Sequence, residues 1–178
     1  KEEIVMCGII GVASNRPVVD KLITGLARQE YRGYDSAGLA VFGKDNNSIH
    51  VHRRLGKVAE LQSAISESPL GGSTGIAHTR WATHGIPAEK NAHPHHSNNE
   101  VYVVHNGIIE NHQEIRTTLK ALGYSFESDT DTEVIGHLIH AKLATATTLV
   151  EALRAAAKDL RGAYAIGAVH SKEPSIIA

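Results

Sequence analysis

The sequence predicts an α+β protein in which layers of sheet are covered by helices. Apolar, β-branched runs interrupted by glycine indicate buried strands, as at residues 7–13 and 163–170. Other segments repeat apolar residues three and four positions apart, which is typical of helices packed on one face. Because strands and helices alternate in groups, helices packed against sheets are the economical arrangement. A four-layer α/β/β/α sandwich is compatible with this pattern, although periodicity alone does not distinguish it from other α+β folds.

The first half of the chain is predicted to contain a strand, a helix, a hairpin and a second helix. Asn15 is positioned to cap the first helix, which we expect to end near residues 30–31, before Gly33. The polar loop 43–47 separates two apolar runs, which favours a hairpin. The strand is expected at residues 7–13, the first helix at 15–31, the hairpin at 36–55 and the second helix at 57–67.

The second half is predicted to add three strands and three helices. Prolines and polar residues indicate that residues 85–100 form a long ordered loop or a lid over a site. Asn111, Asp131 and Thr148 stand where three helices begin. The strands are expected at residues 74–79, 101–105 and 163–170, with another beginning at 176–178, so the chain is interpreted as a fragment of a longer protein.

Composition indicates one ordinary globular domain. The 178 residues include 42% hydrophobic and 21% charged residues, and the net charge is −1. That balance offers no electrostatic footprint for nucleic acid or an anionic membrane. No apolar run is long enough to span a bilayer, and a single cysteine fits a reducing compartment. We therefore expect a soluble cytoplasmic protein without nucleic-acid or membrane partners.

The lone cysteine, Cys7, has two interpretations. Most free cysteines are small buried hydrophobes, and Cys7 stands at the start of an apolar strand. Alternatively, Cys7 is an N-terminal nucleophile whose own α-amine serves as the base. The twelve histidines raise a third possibility, a metal site, but the cluster at 93–96 contains a proline and lacks helical ligand spacing. We expect no metal and no cofactor.

Five stretches together carry a resemblance to a known family. They are MCGIIG at 6–11, YRGYDSAG at 31–38, GIAHTRWATHG at 75–85, VHNGIIEN at 104–111 and DTDTE at 129–133. In this order they resemble the glutaminase domain of glucosamine-6-phosphate synthases (glutamine–fructose-6-phosphate aminotransferases), which are class II glutamine amidotransferases. The resemblance extends from Met6 to the end of the chain.

The resemblance implies an Ntn-hydrolase fold, a four-layer α/β/β/α sandwich, and hydrolysis of L-glutamine to glutamate and ammonia. It also implies that ammonia passes to a C-terminal sugar-phosphate isomerase domain, which this chain lacks, in a full-length homo-oligomer. By motif, the implied roles are Cys7 as nucleophile, Asn106 and Gly107 as oxyanion hole, Arg80 and Asp131 as ligands of the substrate carboxylate and ammonium, Trp81, Thr83 and His84 as pocket lining, and Arg32 as a supporting residue.

The sequence departs from that family pattern in two places. Residues 1–6 precede Cys7, so its nitrogen is an amide and cannot act as a base while they remain attached. We interpret 1–6 as an extension, either a remnant or a cleaved propeptide, and 7–178 as the glutamine amidotransferase type-2 domain. We expect little glutaminase activity from the untrimmed chain. The second departure is Asp129, which leaves two aspartates as candidates for the ammonium ligand. We favour Asp131, because it lies in the run Asp-Thr-Glu-Val.

Other functions remain open at this level. The glutaminase domain of a purine-pathway amidophosphoribosyltransferase shares the chemistry, although Tyr34, Asp35 and Trp81 resemble the sugar-phosphate branch. The chain could also bind glutamine without hydrolysing it, or bind zinc through its histidines.

Overall fold

The structure, a computed structural model, describes residues 7–45, 48–68, 70–81 and 85–178. Within these ranges the strands are β1 (Gly8–Ala13), β2 (Ser36–Phe42), β3 (Ile49–Leu55), β4 (Thr74–Arg80), β5 (His95–Ser97), β6 (Val101–Gly107) and β7 (Tyr164–His170). The α-helices are α1 (Val19–Ala27), α2 (Val58–Glu67), α3 (His112–Ala121), α4 (Thr132–Lys142) and α5 (Leu149–Ala157). Short 3₁₀ turns occupy Glu30–Arg32 and Glu89–Asn91.

The strands form two antiparallel sheets. The first sheet has four strands in the order β1-β4-β2-β3, and the second has three in the order β5-β6-β7. The predicted hairpin is confirmed, because β2 and β3 pair from Ser36 opposite Leu55 to Phe42 opposite Ile49.

Three separate apolar clusters show that the two sheets lie between two layers of helices. One cluster joins α1 and α2 to the first sheet, one lies between the sheets, and one joins the second sheet to α3, α4 and α5. Successive residues of a strand face opposite sides, so Val103 of β6 packs towards the helices while Val104 packs between the sheets. The predicted four-layer α/β/β/α sandwich is therefore confirmed.

Two predicted helix caps are wrong. The cap position of α1 is Val18 rather than Asn15, because the Val18 N–H donates to Gly72 O at 3.0 Å and holds the preceding residues outside the helix. Asn111 does precede α3, but its side chain bridges Asp159 O and Arg161 N instead of capping. The Thr148 cap is confirmed by its bond from Glu151 N at 3.2 Å.

The predicted loop 85–100 is partly ordered into regular structure. It contains the 3₁₀ turn Glu89–Asn91 and the strand β5. A three-residue strand is too short to show an alternating pattern in sequence, which is why the prediction missed it. At the other end of the second sheet, Ala178 and Ala168 exchange both backbone hydrogen bonds, at 2.8 and 3.0 Å. Among the described helices, none has the length and apolarity that crossing a membrane would require.

Candidate active site

Four strand ends meet at one edge of the sandwich. Pairing of Gly8 with Thr79, and of Ser36 with Arg80, brings the start of β1, the start of β2 and the end of β4 together. The end of β6 approaches from the second sheet, where Asn106 Nδ2 donates to Cys7 O at 3.0 Å. Residues 99 positions apart thus meet because the two sheets pack face to face with these strand ends at the same edge.

Cys7 is half-buried and its sulfur contacts the backbone of Trp81. The Trp81 N–H donates to Cys7 Sγ at 3.1 Å, and Trp81 O lies 3.7 Å from the same sulfur. Burial raises the pKa of the Cys7 thiol, against the opposing influence of that N–H and of the positive charge on Arg80. Cys7 therefore rests as a neutral thiol, and nucleophilic use of it requires a base for its proton.

Asn106 and Gly107 form the turn at the end of β6. Asn106 Oδ1 lies 2.8 Å from His78 Nε2, and one hydrogen of its amide nitrogen is used by Cys7 O. An amide nitrogen carries two hydrogens, so a second donor remains at the same atom. Gly107 has φ of +112°, and a Cβ there would stand 2.1 Å from Ala163 O. Only glycine fits at this position.

Arg80 is buried rather than exposed. Its side chain is held by Asp35, with Nη1 3.5 Å from Asp35 Oδ1, and by Gly85 O, which accepts from Nη2 at 3.0 Å. Only 3% of the residue is exposed, so its contact with Asp35 is not a surface ion pair. The neighbouring Trp81, whose backbone contacts the thiol, is 45% exposed.

The two aspartates have different environments. Asp131 is buried, and its Oδ2 accepts from Ile109 N at 2.9 Å, which ties the start of α4 to the segment following Gly107. Asp129 is paired with Lys90 at 2.8 Å, and that bond is the main reason why its pKa lies below the usual value. Asp131 is therefore the aspartate adjoining the β6 turn.

A cluster of buried histidines lies behind Asn106. None of them is among the predicted site residues. His78, His93, His95 and His105 are each at most 5% exposed. Burial lowers the pKa of His78 and of His95 to about 3, and that of His93 well below 6.5, so these three rings are neutral. The number of histidines was the only sequence signal. Among the described residues, no group of three or more potential ligands is arranged to hold a metal ion.

Three of the predicted site residues are outside this description. Thr83 and His84 lie outside the described residues, and so does the side chain of Arg32.

A family model described as a glutamine amidotransferase domain matches residues 78–178, more than half of the chain. The chain belongs to the glutamine amidotransferase domain family. That match includes Arg80, Asn106, Gly107 and Asp131, all of which adjoin the strand-end edge.

Curated relatives at high identity agree with this membership. The chain is 58% identical over 169 residues to a glutamine–fructose-6-phosphate aminotransferase (isomerizing) of Pseudomonas putida, which covers 95% of this chain and 28% of that protein. It is 57% identical over 159 residues to the protein of the same name from Shewanella oneidensis, covering 89% and 26%. The chain thus spans little more than a quarter of the length of these relatives.

Solved structures of the same type share the fold. The Bacillus subtilis glutamine phosphoribosylpyrophosphate amidotransferase, complexed with ADP and GMP, superposes with a TM-score of 0.77 at 25% identity, covering 92% of this chain and 35% of that one. A glutamine aminotransferase class-II domain protein from Silicibacter pomeroyi matches with a TM-score of 0.59 at 12% identity, covering 93% and 72%. The first of these supports the Ntn-type assignment of the sandwich.

Proposed function

We propose that this domain hydrolyses the side-chain amide of L-glutamine to glutamate and ammonia, with Cys7 as the nucleophile. The observation that carries the proposal is the meeting of a thiol and an amide donor at one edge, with Asn106 Nδ2 3.0 Å from Cys7 O. Membership of the glutamine amidotransferase family supports the same reaction class.

The base in this mechanism is the α-amine of Cys7 once residues 1–6 have been removed. In model peptides a thiol pKa of about 8.5 and an α-amine pKa of about 7.7–8.0 differ by less than one unit, so transfer of the proton costs about 1 kcal/mol. Burial, which raises the pKa of the Cys7 thiol, adds to that cost. The described hydrogen bonds of Cys7 Sγ are made to the backbone of Trp81, and the buried histidines nearby are neutral and engaged with other partners. A histidine base is therefore unnecessary.

The reaction proceeds through two tetrahedral oxyanions. The sulfur attacks the amide carbon while its proton moves to the α-amine, and the oxyanion accepts hydrogen bonds from Asn106 Nδ2 and the backbone N–H of Gly107. The α-ammonium then returns the proton to the leaving nitrogen, and ammonia departs from a thioester. Water attacks the thioester through a second oxyanion and releases glutamate with the thiol restored.

Recognition of free glutamine requires groups for both of its charges. We assign its α-carboxylate to Arg80, whose planar guanidinium suits a carboxylate, and its α-ammonium to Asp131. Trp81, with Thr83 and His84, would line the pocket, and Arg32 would support the nucleophile. Asparagine, which is one methylene shorter, would not bridge both the charged ligands and the nucleophile.

We propose further that the intact protein passes the ammonia to fructose 6-phosphate in a C-terminal sugar-phosphate isomerase domain. Relatives with that aminotransferase name are 55–58% identical to this chain. The phosphoribosylpyrophosphate amidotransferase, from the purine branch, is only 25% identical. Supplying an isomerase domain or a phosphoribosyltransferase domain in trans, and measuring which accepts ammonia from glutamine, would separate the two. We also propose that the intact protein is a cytoplasmic homo-oligomer.

The decisive experiment is intact-mass spectrometry after incubation with a diazoketone analogue of glutamine. Protein beginning at Cys7 should gain one adduct and release glutamate from glutamine, whereas protein beginning at Lys1 should do neither. The Cys7→Ala variant of the trimmed protein is the control and should remain unmodified. Robust turnover by protein confirmed to begin at Lys1 would refute the α-amine mechanism. Glutamine binding without hydrolysis by the trimmed protein would indicate a binding domain instead.

A further inference from the structure

The orientation of the Asn106 side chain is determined by its two contacts. Cys7 O can only accept a hydrogen bond, so the atom 3.0 Å from it must be the amide nitrogen. The carbonyl oxygen Oδ1 therefore points to His78 Nε2, 2.8 Å away, and that ring nitrogen must carry the hydrogen. The reverse orientation would set two acceptors against each other at Cys7 O.

The ring of His93 packs against that of His78. In a neutral imidazole only one nitrogen carries a hydrogen, so His78 Nδ1 is an acceptor. His93 Nδ1 lies 2.8 Å from it and 3.2 Å from Nε2, so the His93 N–H is directed at the face of the His78 ring rather than along a nitrogen lone pair. The two rings meet edge to face, with centroids 4.0 Å apart.

The chain of donors continues to helix α4. Since His93 donates from Nδ1, its Nε2 accepts from the Thr132 hydroxyl at 2.8 Å. That hydroxyl in turn accepts from His105 Nδ1 at 3.0 Å. Every member is at most 5% exposed. Burial keeps His78 and His93 neutral, so the direction of the chain does not reverse at physiological pH.

We propose that His78, in its Nε2–H form and packed against His93, which Thr132 holds in turn, is a positioning residue that keeps the Asn106 amide nitrogen directed towards the nucleophile. The proposal rests on the proposed function, because Asn106 matters only if an oxyanion forms beside Cys7. In this scheme α4 reaches the oxyanion donor through three buried side chains (Thr132, His93 and His78) and the partly buried Asn106. None of the three residues behind Asn106 needs to touch the substrate.

The test is a double-mutant cycle in protein that begins at Cys7. His78→Leu removes the donor to Asn106 and should lower kcat for glutamine hydrolysis about 10- to 100-fold, with KM changed less than about threefold. Asn106→Ala should lower kcat about 10²- to 10³-fold. The double variant should be no slower than Asn106→Ala alone, because His78 acts only through Asn106.

Matched variants separate positioning from general damage to the core. His78→Gln can place an amide N–H near the site of Nε2–H and should recover kcat to within about fivefold of wild type. His137→Leu removes another buried histidine, 5% exposed and bonded to Ser97, and should leave kcat and KM unchanged. If His78→Leu does not fold, the nearly isosteric Thr132→Val provides the test, with an expected three- to tenfold loss of kcat at constant KM.

The outcomes separate this inference from the proposed function. Full kcat in His78→Leu or Thr132→Val, or a loss in the double variant that exceeds that of Asn106→Ala, would overturn the relay. If Asn106→Ala is itself fully active, the oxyanion assignment fails and the relay fails with it. If the trimmed wild type does not hydrolyse glutamine although Cys7 is intact, the proposed function fails.

Discussion

The two sheets contribute differently to the candidate site. In the first sheet, neighbouring backbones hold the site residues: Trp81 N–H contacts Cys7 Sγ, and the Asp35 N–H donates to Arg80 O at 2.7 Å. Asn106, at the end of β6 in the second sheet, is instead held by side chains, through His78 of β4 in the first sheet. The first sheet thus supplies the nucleophile and a positive charge, whereas the second supplies neutral hydrogen-bond donors.

This difference suggests a division of chemical work. A fixed charge stabilises a substrate carboxylate equally in the ground state and the transition state, so it governs binding. Neutral donors directed at an oxyanion act mainly when that charge develops, so they govern turnover. Changes in the second sheet should therefore lower kcat, and changes at Arg80 should raise KM.

The largest expected effect is the loss of kcat on substitution of Asn106, at the end of the second sheet. Asn106→Ala should lower kcat for glutamine about 10²- to 10³-fold, because one oxyanion donor is lost. KM should change less than about threefold, as measured by steady-state glutamate release. Asn111→Ala is the matched control, since Asn111 bonds Asp159 O and Arg161 N away from the strand ends and its loss should leave kcat unchanged. A rise in KM without loss of kcat would contradict the division between the sheets.

The corresponding change in the first sheet should act on binding. Arg80→Lys should raise KM about 10- to 100-fold with kcat changed less than about fivefold, because an ammonium cannot replace the planar fork. The same substitution at Arg54, which is partly exposed and 3.8 Å from Glu89, should change neither constant. An Arg80→Lys variant with wild-type KM would remove Arg80 from substrate recognition.

The two aspartates provide a smaller test. Asp131→Asn should raise KM about tenfold through loss of the charge that faces the substrate ammonium. Asp129→Asn should change KM less than about twofold, because that carboxylate is exposed and pairs with Lys90. Isothermal titration of glutamine into Cys7→Ala backgrounds of both variants measures the difference directly. The opposite ranking would transfer the ammonium site to Asp129.

The smallest expected effect concerns stability. Burial lowers the pKa of His95 to about 3, below the unfolded value near 6.5, so the unfolded state binds the proton more readily. The contribution of neutral His95 to the free energy of unfolding is fully present above about pH 6.5. It is lost as pH falls towards 3, by up to about 1.4 kcal/mol per pH unit. Between pH 7 and 5, the free energy of unfolding of His95→Gln should therefore depend less steeply on pH than that of the wild type, by up to about 1.4 kcal/mol per pH unit.

Urea unfolding at each pH measures that slope, and the difference between the two proteins at pH 8 reports packing and the contact between His95 Nε2 and the Thr130 hydroxyl at 3.1 Å. The range from pH 5 to 7 lies above the pH values at which Glu133 titrates and changes the free energy of unfolding. Burial opposes the ionisation of Glu133, but hydrogen bonds from His137 and from the Glu127 and Ser128 backbone lower its pKa to about 2. An unchanged slope in His95→Gln would mean that His95 does not titrate differently in the folded and unfolded states.

Local patterns in the sequence determined most of the elements, because periodicity, turn residues and caps act within a few neighbours. The β2–β3 hairpin and the Thr148 cap are examples. Motif order determined the family and named Cys7, Arg80, Asn106 and Asp131 as candidates. The resemblance also implied the four-layer sandwich, which the three apolar clusters confirm. Tertiary structure alone decided that Arg80 is buried against Asp35 and that Asp131 bonds to the segment following Gly107. It alone also joined His78, His93 and Thr132 into one relay, since residues 15 and 39 positions apart meet only when the sheets and α4 pack together, and no local sequence pattern encodes that contact.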